Sequence, residues 1–292
     1  MSHLMDEIAS QPECWAKAIE LAASAGAALP VAGERVAVIG CGSSLNVARC
    51  YALLREAAGQ GETDAFPASE LPSTRRYDRM LYVSRTGTTT EVLDALRRAP
   101  AATPTVAVTA EKDAPLAREA GHVVLLDFAD ERSVVSSRFI TSTIVLLRAH
   151  LGVDVSALPD EAALEVQRPL PPGLAEHTEF TFLGRGWAAA VASEAALKLR
   201  EASRTWAESY PALEYRHGPI SVSDRDTVVW ALGEVPPDLL ADARRTGATV
   251  MAPDADPLAA LIGAQRLAAL LAQRKGLDPD QPRALARSVI LA

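Results

Sequence analysis

The feature that most constrains how this chain folds occurs twice. A short apolar run ends on a glycine, a Gly-x-Gly turn follows, and a helical stretch begins. The first copy is Arg35-Val-Ala-Val-Ile-Gly40 leading into Cys41-Gly42, and the second is Phe180-Thr-Phe-Leu-Gly184 leading into Arg185-Gly186 and an Ala/Leu helix over about 188–201. A buried strand that hands the chain to a helix through a tight glycine turn opens an α/β unit, in which a parallel sheet is covered by helices. At roughly 150 residues per domain, 292 residues leave room for two such units.

Other apolar runs fit the same scheme. Strands are expected at 80–84, 103–109 and 122–126 in the first half and at 226–232 and 248–252 in the second. Helices are expected over 5–29, 91–98, 114–120 and 257–275. Gly152 to Glu176 is rich in Pro, Asp and Glu and is broken at Pro169-Leu-Pro-Pro-Gly173, which reads as a linker. The expected organisation is therefore an N-terminal helix with a first α/β domain over 1–150, a linker over 151–176, and a second α/β domain with a C-terminal tail over 177–292.

Composition excludes several function classes. With 29 Lys plus Arg against 37 Asp plus Glu the formal net charge is −8, opposite in sign to a nucleic-acid-binding footprint. The three cysteines, Cys14, Cys41 and Cys50, form no CxxC and have no paired histidine spacing, so neither a disulfide framework nor a zinc site is expected. No basic-then-apolar leader and no run of about 18 apolar residues is present, which predicts a cytoplasmic protein with no membrane partner. The chain has only four lysines, Lys17, Lys112, Lys198 and Lys275, so each stands out against the prevailing use of arginine.

Three segments carry hydroxyl or anion-binding chemistry. Gly40-Cys-Gly-Ser-Ser-Leu-Asn46 places Ser43 and Ser44 at a helix start, where free N–H groups and the helix dipole attract an anion. A dinucleotide fingerprint fails because Leu45 stands at its third glycine, and an ordinary strand-to-helix turn is the alternative. Ser84-Arg-Thr-Gly-Thr-Thr-Thr90 has the composition of a phosphate cradle, Arg85 adding a charge-assisted bond; a Ser/Thr helix cap is the alternative. The cluster from Ser133 to Thr143, with Ser136 and Ser137, either closes the same pocket or caps the helix leading to His150.

A fourth segment carries acid–base groups. In a helix, Glu194, Lys198 and Glu201 share one face among Ala and Leu, and His217 follows in Glu214-Tyr-Arg-His-Gly-Pro219. A carboxylate on an apolar face moves a proton between adjacent carbons, while a histidine moves a hydroxyl proton. The alternative is a surface ion pair beside a turn histidine.

Taken in order, the segments Gly40-Cys-Gly-Ser-Ser44, Ser84-Arg-Thr-Gly-Thr-Thr89, Val134-Val-Ser-Ser-Arg138, Phe182-Leu-Gly-Arg-Gly186, Ala195-Ala-Leu-Lys-Leu-Arg-Glu201, Glu214-Tyr-Arg-His-Gly-Pro219 and Asp280-Gln-Pro-Arg-Ala-Leu-Ala-Arg-Ser288 resemble the sugar isomerase (SIS) domain family. The likeness is to its tandem members, such as the isomerase half of glucosamine-6-phosphate synthase and the aminosugar-phosphate deaminase/isomerases. It implies two flavodoxin-like SIS domains in tandem. It also implies a sugar phosphate held by Ser43, Ser44, Ser84, Arg85, Thr86 and Thr89, with Glu201 as the base between C1 and C2. His217 would assist ring opening from the neighbouring subunit of a homodimer, and Lys198 would stabilise the enediolate. No cofactor is implied.

Two departures accompany the resemblance. The SIS-like part starts almost at once, so no glutaminase domain and no use of glutamine is expected. Arg287, counted with the substrate-binding residues, stands where the synthases carry an imine-forming lysine, and a guanidinium is a poor imine former. The expected activity is deamination with isomerisation of a 2-amino-2-deoxyhexose 6-phosphate. The alternatives are phosphosugar isomerisation without deamination and a non-catalytic sugar-phosphate sensor.

Overall fold

Nine short strands form two separate, wholly parallel sheets in the computed structural model, which describes residues 2–291. The chain begins with α1 (His3–Ala9), α2 (Gln11–Ala25), β1 (Val36–Gly40), α3 (Ser43–Ala57), β2 (Thr63–Pro67) and β3 (Arg79–Val83). It continues through α4 (Thr90–Arg97), β4 (Thr105–Thr109), α5 (Pro115–Glu119), β5 (His122–Leu125) and α6 (Arg138–His150). The later elements are α7 (Leu158–Gln167), β6 (Glu179–Gly184), α8 (Trp187–Ser203), β7 (Trp206–Pro211), β8 (Thr227–Leu232), α9 (Pro237–Arg245), β9 (Thr249–Met251) and α10 (Pro257–Arg274).

Contacts divide the chain into two units whose ends are exchanged. The five-stranded unit comprises 10–132, 136–159 and 286–292; the four-stranded unit comprises 1–9, 133–135 and 160–285. The helix expected over 5–29 is accordingly two helices that separate at Ser10, where Pro12 occupies the first turn of α2, a position that needs no N–H donor. The segment expected as a linker contains α7, whose Leu158 and Ala162 are buried.

The five-stranded sheet runs β2-β1-β3-β4-β5 and the four-stranded one β7-β6-β8-β9, so the second repeats the order of the first four strands of the first. In both, an interior strand is wholly apolar or nearly so, as burial on two faces requires: β1 reads Val-Ala-Val-Ile-Gly and β8 Thr-Val-Val-Trp-Ala-Leu, every residue buried. Helices cover the sheets. Ala37, Ile39 and Tyr82 pack against Val92 and Leu96 of α4, and Leu183 and Val229 against Leu239 and Ala243 of α9. Along α2 and α6 the apolar contact carries one buried polar chain, in which Trp15 Nε1 donates to Thr141 Oγ1 at 2.9 Å and Thr141 donates to Gln11 at 2.7 Å.

The glycine turns are the same device in both units. Gly42 (φ 55°, ψ −123°) and Gly186 (φ 54°, ψ −132°) adopt a conformation essentially closed to other residues. Gly40 lets α3 pass so close that a Cβ there would lie 2.6 Å from the Ser44 carbonyl carbon, and Gly184 sits closer still to Ala188.

Candidate functional site

In the five-stranded unit the strand order reverses between β1 and β3, and ligands in such sheets bind outside the carboxyl ends of the strands flanking that reversal. The loops leaving those two ends are 41–42 and 84–89. Ser43 begins α3 half-buried, and Ser44 beside it is buried. The second loop folds on itself. Ser84 Oγ accepts the Gly87 N–H at 3.2 Å and stands 3.5 Å from Thr89 Oγ1, while Gly87 takes φ +61° over Ala114. Thr86 and Thr88 hydroxyls are 3.1 Å apart.

The C-terminal tail lies across this hydroxyl loop. Ser288 Oγ is 3.0 Å from Thr88 Oγ1 and 3.3 Å from Thr89 Oγ1, Thr90 N–H donates to the Val289 carbonyl, and Leu291 N–H donates to Thr90 Oγ1. Arg287 reaches Asp130 at 2.6 Å and Glu111 at 3.2 Å, so its charge is answered by carboxylates, which hold it more firmly protonated than a free guanidinium despite partial burial.

Glu131, which the sequence patterns did not single out, organises the rest of this cluster. Its carboxylate accepts from Arg85 Nη1 at 2.9 Å, from Ser136 Oγ at 2.6 Å, from Ser137 Oγ at 2.8 Å, and from the backbone N–H groups of Ser137 and Arg138. Burial by itself would raise its pKa. The Arg85 charge and the hydrogen bonds from Ser136 and Ser137 outweigh that penalty and hold the carboxyl below its usual range. Arg85, Ser136 and Ser137, expected as direct phosphate contacts, are thus oriented on this one acid. The only sequence signal was a lone glutamate ahead of a serine cluster.

The four-stranded unit brings together the acid–base residues expected on α8. Lys198 Nζ lies 2.6 Å from Glu201 Oε2 and 3.2 Å from Glu194 Oε1; the Lys198 and Glu194 side chains are 1% exposed and that of Glu201 20%. Burial pulls the ammonium down, yet the two carboxylates outweigh it and keep Lys198 above its usual value. Glu201 is the member of this set that lines a cavity, of about 210 Å³. His217 is carried on a separate 3-10 turn, Ala212–His217, and is exposed; Arg216 beside it is paired with Asp238 and Asp242. Among the described residues no group of three or more His, Cys, Asp or Glu is arranged to hold a metal ion, all three cysteines are free, and no helix is long and apolar enough to cross a membrane.

Residues 31–151 match the SIS domain. The chain is similar to the glutamine–fructose-6-phosphate aminotransferase (isomerizing) of Methanothermobacter thermautotrophicus, at 29% identity over 307 residues covering 88% of this chain and 51% of that protein. It spans about half the length of the curated relatives it matches. Among solved structures, glucosamine-6-phosphate deaminase from Thermotoga maritima superimposes with a TM-score of 0.83 at 27% identity, covering 99% of this chain and 100% of that one. Tagatose-6-phosphate ketose/aldose isomerase from Escherichia coli has a TM-score of 0.81 at 20% identity over 100% and 96% of the two chains, a likeness of fold.

Proposed function

We propose that this SIS-domain chain is an aminosugar-phosphate deaminase/isomerase, converting a 2-amino-2-deoxyhexose 6-phosphate and water to a ketohexose 6-phosphate and ammonia. The observation that carries the reading is Glu201: a carboxylate at the wall of a cavity, clamped at 2.6 Å by a lysine that is itself buried. A base held in one orientation by a buried cation is suited to moving a proton between adjacent carbons. Lys198, with both flanking carboxylates on it, positions Glu201 more directly than it serves an enediolate oxygen.

The hydroxyls of Ser43, Ser44, Ser84, Thr86 and Thr89 receive the phosphate. Neutral donors carry that contact because the Arg85 charge is answered by Glu131. The exposed His217 assists ring opening, supplied by a second copy of the chain in a homodimer. The four-stranded unit is a second SIS domain, a reading supported by its matching strand order and its Gly184-x-Gly186 turn.

The test is ammonia release and keto-sugar formation from glucosamine 6-phosphate and galactosamine 6-phosphate, with wild type beside Glu201→Gln. Ammonia that depends on Glu201 is the expected result. Keto-sugar formation from an aldose phosphate without ammonia would replace this activity by plain isomerisation, and binding without turnover would replace it by a sensor.

A further inference from the structure

In the four-stranded unit the bulkiest residue of β8 is answered by the smallest residue of α10. Trp230 stands in the buried run Thr-Val-Val-Trp-Ala-Leu, and a Cβ at Gly263 would lie only 3.2 Å from Trp230 Cζ2 and 3.3 Å from Cη2. Glycine destabilises a helix interior, so its place there follows from the ring it admits. Cζ2 neighbours Nε1 across one ring carbon, so the indole edge turned to Gly263 adjoins the N–H donor. The same two residues line a cavity of about 370 Å³, bounded also by Met251 of β9, by Arg266 one turn further along α10, and by Glu165 and Arg168 at and just beyond the end of α7.

Two groups at this cavity are left unanswered by the protein. Trp230 is 3% exposed, and its Nε1–H has no hydrogen-bond partner among the described residues, although a buried donor is ordinarily paired. Glu165 is answered by Arg168, Nε to Oε1 at 2.9 Å, which leaves the second guanidinium, that of Arg266, without a carboxylate among the described residues. Arg266 Nη1 donates to the Glu165 carbonyl at 2.9 Å and also to the Arg168 carbonyl; these are main-chain oxygens and neutralise no charge. Burial pulls Arg266 below its usual value, and the Glu165 charge offsets this only in part. The lining thus holds one acid against two arginines, beside an apolar surface that includes Met251 and Ala260.

We infer that this cavity is a binding site for a small apolar carboxylate, an aromatic or branched-chain acid, whose body lies along the Trp230 ring and Met251 while its carboxylate meets Arg266 and supplies the acceptor that the indole N–H lacks. The volume is near the low end for ligand pockets and suits a ligand of that size. A carboxylate on a guanidinium makes charge-assisted hydrogen bonds that a neutral ligand forgoes. A sugar phosphate fits poorly, because the apolar surface would leave its hydroxyls unpaired. No residue of this cavity is assigned to the proposed reaction, so the site stands whichever sugar phosphate is turned over.

The test titrates the full, isotopically nitrogen-labelled chain with phenylacetate, 4-methylpentanoate and indole-3-acetate, each beside its uncharged amide. The four tryptophans give four indole N–H signals in a magnetic resonance spectrum, and Trp230→Phe identifies the one that belongs to Trp230. At least one acid is expected to move that signal saturably and to bind at least about tenfold more tightly than its amide. In Arg266→Gln the advantage of acid over amide should fall to near unity, and Arg266→Lys, which keeps the charge, should restore part of it, with unfolding curves confirming that both variants are folded. Arg266 also ties α10 to the end of α7, so the wild-type comparison of acid with amide carries the test where Arg266→Gln does not fold. Equal affinity for acid and amide, an acid advantage that survives in folded Arg266→Gln, movement of another tryptophan's signal in place of that of Trp230, or no saturable binding by any of the three acids overturns the site. Inorganic phosphate that displaces the acids at equal concentration would leave a bare anion site and overturns the apolar ligand.

Discussion

Arg85 Nη1 lies 2.9 Å from Glu131 Oε2 in a pair whose side chains are 7% and 0% exposed. Both charges are out of water, so each depends on the other; removing one partner of such a pair leaves an uncompensated buried charge, at a cost of about 3–5 kcal/mol. Arg85→Ala is therefore expected to lower the unfolding free energy by about that amount in urea titrations. A variant of wild-type stability whose only defect is a raised KM would show instead that Arg85 serves the phosphate and not the glutamate.

The same pair sets an acid limit to stability. The Glu131 carboxyl is depressed from 4.5 on folding, so its contribution is fully present above that value and is lost as the pH falls below it. Lys198 is raised from 10.5, so its contribution is fully present below that value and disappears as the pH climbs past it. Unfolding free energies measured from pH 3 to 11 should fall at both ends, and Glu131→Gln should flatten the acid end alone. An unchanged acid slope in that variant would remove Glu131 as its cause.

On α8 the expected effects separate chemistry from scaffold. Glu201→Gln preserves shape and should leave the affinity for the substrate phosphate nearly intact while lowering kcat by at least about 100-fold, the usual yield of a positioned base. Lys198→Met removes the cation between Glu194 and Glu201. It should cost roughly 3–5 kcal/mol at neutral pH, a loss that shrinks on acidification as protonation relieves the two carboxylates. Turnover by Glu201→Gln at the wild-type rate would exclude that residue from the reaction.

How far the sequence revealed all this depended on what each element needs from its residues. Strands buried on both faces, such as β1 and β8, announce themselves as unbroken apolar runs. Two of the four edge strands do not: β2, Thr63-Asp-Ala-Phe-Pro67, and β7, Trp206-Ala-Glu-Ser-Tyr-Pro211, each carry an acid and a proline, tolerable where one strand side is unpaired. The α8 constellation was legible because helical spacing alone puts Glu194, Lys198 and Glu201 on one face. Glu131 was not, because its role comes from meeting Arg85 across 46 positions, a proximity that no local pattern encodes. The crossing of Ser288 onto Thr88 and Thr89 escaped for the same reason, as did the assignment of α1 and α2 to different units.

The glycine turns allow one comparison between backbone conformation and close packing. At Gly186 no other atom lies within 4 Å of the place a Cβ would take, so Gly186→Ala meets only the cost of its positive φ, of order 1–3 kcal/mol. Gly184 has an ordinary backbone, but an added methyl would run into the Ala188 carbonyl of α8, and the helix must then move away from β6. Because α8 carries Lys198 and Glu201, that movement reaches the proposed base. Gly184→Ala is expected to lose both stability and kcat, whereas Gly186→Ala loses stability with kcat within about threefold of wild type, since the α8 position is kept. Urea unfolding beside steady-state kinetics reads both. Equal kcat losses in the two variants would show that the turn conformation, and not the closeness of α8 to its strand, holds Glu201 in place.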